Sequence, residues 1–150
     1  MNGKTIMDIT INSERITAAE YIDFLKKTDL GSQYPKENFS QRIEKLVKNA
    51  SISLIARNGQ GGIVGVCFGI TDFAYWLFIT DLGVIRSCTG QGIGRQLVFK
   101  ALELAGGEDE IAMYTCANEK AVPFYEKIGM KKSENIMEYN RMPWTSFTVE

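Results

Sequence analysis

The chain has 150 residues, of which 45% are hydrophobic and 23% are charged, and its formal net charge is -1. This length predicts one domain, spanning residues 1–150, that buries a core of its own. A charge so close to zero excludes the overall basic field that attracts nucleic acid or anionic membranes. The chain has no histidine, which excludes histidine-activated nucleophiles and most transition-metal sites.

Cysteine usage and the N-terminal residues indicate the compartment. Cys67, Cys88 and Cys116 are odd in number and far apart, which favours reduced thiols over a disulfide framework or a zinc site. The N-terminus lacks an apolar signal core, and no apolar run reaches the ~20 residues that cross a bilayer. We therefore expect a cytoplasmic protein with no bound metal and no nucleic-acid or membrane partner.

The first third of the chain predicts one strand and two helices. Residues 5–11 alternate apolar and polar side chains, as a strand does. Thr17 and Glu20 have capping-box spacing at the start of a helix over residues 17–31. Residues 38–49 repeat apolar side chains at helical spacing and predict a second helix.

Three strands are predicted next. Residues 51–57 and 63–70 are rich in β-branched side chains and flank "NGQGG", a strong signal for a hairpin turn. Residues 75–85, "YWLFITDLGVI", form a largely apolar run. Such a run is typical of a central strand covered on both faces.

The rest of the chain alternates helices and strands. A helix over residues 93–105 is predicted by one apolar stripe: Ile93, Leu97, Val98, Ala101, Leu102 and Ala105. Residues 110–116 predict a strand and residues 118–129 a short helix, with Pro123 in its first turn. At least one more strand is expected in residues 131–142. The tail "PWTSFTVE" reads as an edge strand, which allows a homodimer. These elements predict a mixed α/β sheet with helices on both faces.

Three glycines lie around the start of the helix near residue 93. Gly90, Gly92 and Gly94 lie in "RSCTGQGIGRQLV" between a strand and a helix, where unpaired amides and the helix dipole favour an anion such as phosphate. A P-loop is excluded because no lysine follows Gly94, and a dinucleotide fingerprint fails because Arg95 stands where its third glycine is required. The alternative is a loop that only connects the two elements.

Two segments together resemble a known family. "TGQGIG", from Thr89 to Gly94, resembles the Gln/Arg-x-x-Gly-x-Gly/Ala segment of the GCN5-related N-acetyltransferases (GNAT), with Thr89 in place of the leading Gln or Arg. "NEKAVPFYEKIGM" resembles their Asn-x-x-Ala-x-x-Phe-Tyr-x-x-x-Gly-Phe segment. The matching positions are Asn118, Ala121, Phe124, Tyr125 and Gly129, with Met130 replacing Phe.

The resemblance implies a fold and a cosubstrate. The family's sheet has about six to seven strands, and its fourth and fifth strands splay apart to admit acetyl-coenzyme A (acetyl-CoA). In this chain the backbone of Leu82, Gly83 and Val84 would then pair with the pantetheine arm, and Asn118 and Phe124 would contact the cofactor. The loop that would wrap the pyrophosphate comprises Thr89, Gly90, Gln91, Gly92, Ile93, Gly94 and Arg95. Arg86 and Lys127 would add positive charge nearby, and Gly83 is compatible with a bulge.

The resemblance also assigns chemistry. Tyr125 matches the family's general acid, which protonates the departing thiolate. Some relatives use a glutamate as base where this chain has Thr80, which cannot serve. Asp81 is adjacent, but strand alternation would turn it to the opposite face. We therefore expect a water chain to a backbone carbonyl or to Asp81. Cys116 is expected to be a packing residue rather than an acyl-accepting nucleophile.

The acceptor site is expected on the other side of the splayed strands. Its candidate walls are Tyr34, Phe39, Phe73, Tyr75 and Trp144. The net charge of -1 and the lack of a basic arm favour a cationic or neutral amine as acceptor over a target bound to nucleic acid. The resemblance implies an acetyl-CoA-dependent N-acetyltransferase, and we expect it to act on the primary amine of a small molecule. Two alternatives stay open: a non-catalytic acyl-CoA binding module, and acetylation of a protein at its N-terminus or at a lysine.

Overall fold

The computed structural model describes residues 8–30, 34–144, 147 and 149–150. Its strands are β1 (Thr10–Ser13), β2 (Ile52–Arg57), β3 (Ile63–Thr71), β4 (Trp76–Val84) and β5 (Ala112–Thr115). Its helices are α1 (Ala18–Leu25), α2 (Phe39–Asn49), α3 (Ile93–Ala105) and α4 (Val122–Lys127).

The strands form one mixed sheet in the order β1-β2-β3-β4-β5. The first four are antiparallel, and β5 is parallel to β4, which it reaches through α3. The described residues thus give five strands rather than six to seven, and the strand expected in residues 131–142 does not form. Side chains compete there with a ladder, because Ser133 and Asn140 accept hydrogen bonds from backbone amides two residues further on. Residues 145, 146 and 148 of the expected tail strand lie outside the described residues, and the described residues of the tail are not in a strand.

Helices cover both faces of the sheet, as predicted. α3 packs on one face through the predicted stripe, all six residues of which are buried. α1 and α2 pack on the other face, where Tyr21, Phe24 and Ile43 meet Val66 and Phe68. Each face therefore has its own apolar core, and burial of these side chains is the main stabilisation of the fold.

Local signals place the helix starts. The capping box is confirmed, since the amide of Glu20 donates to Thr17 Oγ1 at 3.1 Å and the amide of Thr17 donates to Glu20 Oε1 at 3.0 Å. Pro123 lies in the first turn of α4, where its missing N–H costs nothing.

A bulge interrupts β4 where it pairs with β3. Phe68 lies opposite Asp81 and Gly69 opposite Ile79, so Thr80 has no residue opposite it on β3. The extra residue turns Asp81 to the face that carries Phe68 and α1. The bulge is therefore at Thr80 and not at Gly83.

Gly83 instead allows a close approach of α1. A Cβ there would lie 3.1 Å from Leu30 Cδ2 and 3.3 Å from Phe24 Cε1. A larger residue would force these two side chains away from the sheet.

The pairing of β4 with β5 ends early. It runs from Trp76 with Ala112 to Ile79 with Thr115, and among the described residues no strand pairs with 80–84 on that side. β4 and β5 therefore enclose a cleft beyond Ile79. The first half of β4 is covered on one face only, because Trp76 and Phe78 are 56% and 38% exposed. The expected coverage on both faces is wrong there, since α1 and α2 do not extend over this end of the sheet.

Candidate active site

The glycine loop follows β4 at the open end of the cleft. Gly90 and Gly92 have φ of 78° and 82°, in the left-handed region that side chains rarely adopt. Gly92 is the N-cap of α3 and offers no side chain to the first amides of that helix. A Cβ on Gly90 would meet nothing within 4 Å. The loop therefore presents open space beside unpaired amides at the positive end of a helix, where an anion can bind.

Three of the sequence-predicted residues meet at one contact. A Cβ on Gly94 would lie 3.2 Å from Phe124 Cζ and 3.9 Å from Val84 Cγ2. The start of α3, the end of β4 and α4 therefore approach closely because position 94 has no side chain.

Positive charge near the loop differs from the expectation. Arg86 donates to Asp29 Oδ1 at 2.9 Å and to the carbonyl oxygens of Lys26 and Thr28 at 3.2 and 2.7 Å. These bonds satisfy carbonyls just after α1, so Arg86 secures that segment and is not an available cation. Arg95 is exposed, and its guanidinium lies 4.8 Å from the centre of the Phe99 ring.

The remaining loop positions differ in exposure, because Thr89 and Gln91 are exposed and Ile93 is buried. Thr89 Oγ1 donates to the carbonyl of Arg86 at 3.1 Å, so the hydroxyl that replaces Gln or Arg bonds within the loop. Gln91 and Lys127 are exposed.

Asn118 fixes the start of α4. Its side-chain oxygen accepts from the amide of Ala121 at 2.9 Å, and its carbonyl accepts from Val122 at 3.1 Å. This turn places Phe124 and Tyr125, whose ring centres are 5.0 Å apart.

Tyr125 lies where β4 and β5 separate. Its phenol lies beside Thr115, and Thr115 Oγ1 donates to the carbonyl of Ile79 at 2.9 Å. Thr115 and Ile79 are the last pair between the two strands. Burial raises the pKa of Tyr125, and the nearby Thr115 hydroxyl opposes that rise. The phenol is therefore protonated at neutral pH and can donate a proton at the vertex of the cleft.

Asp81 belongs to a buried hydrogen-bond cluster on the other side of this vertex. Tyr34 donates to Asp81 Oδ1, Thr80 donates to Oδ2 at 2.8 Å, and the hydroxyls of Tyr21 and Tyr34 are 2.9 Å apart. Asp81 is 6% exposed, and burial raises its pKa although all three hydroxyl groups lower it. The expectation that strand alternation separates Thr80 from Asp81 is wrong, because the bulge brings the two side chains together.

Asp81→Asn tests the raised pKa. A raised folded pKa means that the folded state binds this proton more tightly than the unfolded state. Stability is then lost as pH rises through the window from the unfolded pKa to the folded one. Asparagine does not titrate and still accepts from Tyr34. We expect the free energy of unfolding of Asp81→Asn to rise relative to that of the unchanged protein as the pH increases above the ordinary aspartate pKa of about 3.9, measured by urea titrations at a series of pH values. A difference that stays constant with pH would contradict the assignment.

The cysteines divide by exposure. Cys67 and Cys88 are buried, and burial raises the pKa of Cys67 to about 12, so its thiol is unreactive. Cys116, expected to be a packing residue, is exposed, because it follows the end of β5 at the cleft.

A groove of about 730 Å³ lies beside the vertex, on the sheet face opposite α3. We call it the aromatic groove. Its lining includes Ile70, Asp72, Trp76, Phe78, Tyr114, Thr115, Cys116, Asn135 and Ile136. The rings of Trp76 and Tyr114 are 5.7 Å apart. Trp76 and Phe78 were not among the expected wall residues. Their alternation with Leu77 and Ile79 in "YWLFIT" could have indicated that they share one face of the strand.

The five residues expected as walls do not line this groove. Tyr34 belongs to the Asp81 cluster, and Phe39 packs on Phe147 with ring centres 5.2 Å apart. Phe73, Tyr75 and Trp144 are exposed.

Within residues 8–30, 34–144, 147 and 149–150, no three His, Cys, Asp or Glu side chains come together as a metal site would need. Over the same residues, no helix has the length and apolar character needed to span a bilayer.

Solved structures share this fold. A GNAT family acetyltransferase from Streptococcus pneumoniae superposes with a TM-score of 0.67 at 22% identity, covering 89% of this chain and 99% of that one. A GNAT family N-acetyltransferase from Escherichia coli in complex with CoA gives 0.63 at 18% identity, covering 87% and 73%. A GNAT acetyltransferase from Brucella melitensis in complex with acetyl-CoA gives 0.63 at 20% identity, covering 83% of each chain.

Comparison with known sequences identifies the family to which the chain belongs. No curated protein sequence matches the chain. The profile described as "Acetyltransferase (GNAT) family" matches residues 18–130, well over half of the chain. With the mixed sheet, the cleft beyond Ile79 and the glycine loop, this match shows that the chain belongs to the GNAT family of acetyltransferases.

Proposed function

We propose that the chain is a single-domain N-acetyltransferase that moves the acetyl group of acetyl-CoA to the primary amine of a small molecule. The observation that carries this proposal is the position of the Tyr125 phenol at the vertex of the β4–β5 cleft. The glycine loop follows the same free stretch of β4, so one extended ligand can reach both.

The cofactor would lie along the cleft. The backbone of Leu82, Gly83 and Val84 has no partner strand on the β5 side among the described residues, and a pantetheine arm can add there like a strand. The amides from Thr89 to Arg95 would bind the pyrophosphate, with Arg95 as the nearby cation. Asn118 would act mainly through its placement of α4, and Phe124 would border the cofactor beside Gly94. The complexes of the two relatives with CoA and acetyl-CoA support this placement.

The chemistry would be a direct attack. The amine nitrogen bonds to the thioester carbon, the carbon–sulfur bond breaks, and the thiolate takes the phenolic proton of Tyr125. An alkyl amine costs about 4–5 kcal/mol to deprotonate at neutral pH, so its proton needs an acceptor. We propose that this proton leaves through water to Asp81 or to a backbone carbonyl. The raised pKa of Asp81 suits it to hold a proton.

A substrate panel tests the proposal. The protein is mixed with acetyl-CoA and a series of small amines, amino acids and peptides, and loss of the thioester absorbance is followed. Turnover with small amines, and not with peptides, is the expected result. Acetylation confined to peptides would indicate a protein acetyltransferase instead.

One observation favours a second candidate, the non-catalytic acyl-CoA binding module. Thr89 and Arg86 both bond within the protein, which leaves fewer groups for the pyrophosphate. Under that alternative acetyl-CoA binds without turnover on any member of the panel.

We also propose that the protein forms a homodimer. Ile136, Met137 and Tyr139 expose apolar surface in the segment after α4. Sedimentation equilibrium tests this, and a mass of one chain at all concentrations would contradict it.

A further inference from the structure

The two ends of the aromatic groove differ in chemistry. One end contains Thr115, which lies beside Tyr125 and donates to the carbonyl of Ile79 at the cleft vertex. The other end contains Asp72, in the turn between β3 and β4. A ligand in this groove therefore meets Thr115, the neighbour of Tyr125, at one end and a carboxylate at the other.

The Asp72 carboxylate is held in place by only one of its oxygens. Oδ1 accepts from the amides of Ala74, Tyr75 and Trp76 at 2.9, 2.8 and 3.0 Å. These bonds lower the pKa of Asp72, so the group is ionised at neutral pH. Oδ2 has no bonding partner among the described residues. The fixed carboxylate thus offers one oxygen to a cation.

The lining between these ends is mostly apolar, and its described residues include no lysine or arginine. Its walls include Trp76, Phe78, Tyr114 and Ile136, and among the described lining residues Asp72 is the one charged side chain. Aromatic faces attract methylene chains and ammonium groups. An acceptor with a carboxylate or phosphate would find no counter-charge in this lining, whereas a second ammonium group would find Asp72.

The distance between the ends follows from the strand. The amide of Trp76 donates to Asp72, and the carbonyl of Ile79 accepts from Thr115. Three residues of strand separate these two positions, or about 10 Å at roughly 3.3 Å per residue.

We infer that the acceptor is a linear amine with a second cationic group about 10 Å from the reacting nitrogen, that is, a diamine or polyamine. Asp72 binds the distal ammonium group, and the aromatic walls bind the chain between the two nitrogens. This inference rests on the proposed function, because the reacting nitrogen must reach the vertex. It goes further in naming the substrate class and the residue that selects it.

Three probes with the same eight-carbon chain test the charge at the distal end. Diaminooctane carries a second ammonium group there, octylamine a methyl group and aminooctanoate a carboxylate. We expect kcat/KM to fall in that order. Asp72→Asn keeps an oxygen for the three backbone amides and removes the charge. It should lower kcat/KM for diaminooctane roughly two- to fivefold. The value of kcat/KM for octylamine should stay the same, because octylamine has no distal charge. Glu44→Gln, on the exposed side of α2 and outside the groove, is the matched control.

A binding readout separates this inference from the proposed function. Cys116 lines the groove and is exposed, whereas Cys67 and Cys88 are buried, so an alkylating agent reports on groove occupancy. Diaminooctane should slow alkylation of Cys116 more than octylamine does, and Asp72→Asn should remove the difference. Protection without any acetyl transfer would support the groove assignment and contradict the proposed function. Transfer to all three probes at equal kcat/KM, unaffected by Asp72→Asn, would overturn the diamine inference and leave the proposed function standing.

Discussion

Tyr125→Phe is expected to lower kcat by roughly a hundred- to ten-thousandfold, the contribution of a positioned general acid. The phenol lies at the cleft vertex beside Thr115 and is protonated at neutral pH, so it can supply the proton that the thiolate takes. Phenylalanine keeps the ring that packs on Phe124, so the dissociation constant of acetyl-CoA should change less than about twofold. Steady-state kinetics and calorimetric titration of acetyl-CoA measure the two quantities.

Thr115→Val is the companion variant. Thr115 lowers the pKa of Tyr125, so loss of its hydroxyl should raise that pKa and move the alkaline limb of kcat to higher pH. A general acid must be protonated to act, which fixes this direction. An unchanged kcat in Tyr125→Phe, or an alkaline limb that does not move in Thr115→Val, would remove Tyr125 from the mechanism.

Gly90→Asp is expected to weaken acetyl-CoA binding by roughly ten- to a hundredfold, because it places a carboxylate where the pyrophosphate would lie. Gly107 provides a matched control. Its φ is 93°, that of Gly90 is 78°, and a Cβ at either position meets nothing within 4 Å. Gly107 follows the far end of α3. Both variants should therefore lose similar stability from the positive φ, but only Gly90→Asp should lose the cofactor.

Calorimetric titration and thermal unfolding of the two variants distinguish binding from folding. If Gly90→Asp binds acetyl-CoA as tightly as Gly107→Asp does, the glycine loop is not the pyrophosphate site.

Local patterns in the sequence predicted most of the fold. The stripe of α3, the capping box of α1 and the hairpin between β2 and β3 depend on neighbours within a few residues, and each formed as expected. The positive φ of Gly90 and Gly92 follows from the same kind of local reasoning. Such features can be predicted because one stretch of chain contains every group that determines them.

Features that depend on distant partners could not be predicted. The bulge at Thr80 inverts the orientation of Asp81, and the partner of Asp81, Tyr34, is 47 positions away. Arg86 was expected beside the cofactor, but it bonds to the segment after α1. The strand expected in residues 131–142 needed a neighbour to pair with, and its apolar pattern alone does not supply one.

The central claim is that the cleft transfers an acetyl group to an amine that lies in the aromatic groove. The most direct test is mass spectrometry of the acceptor after incubation with acetyl-CoA that carries an isotope-labelled acetyl group. Diaminooctane should gain one labelled acetyl group for each CoA released, and Tyr125→Phe should nearly abolish this product. Binding of acetyl-CoA without any labelled amine product would contradict the claim and identify the chain as an acyl-CoA binding module.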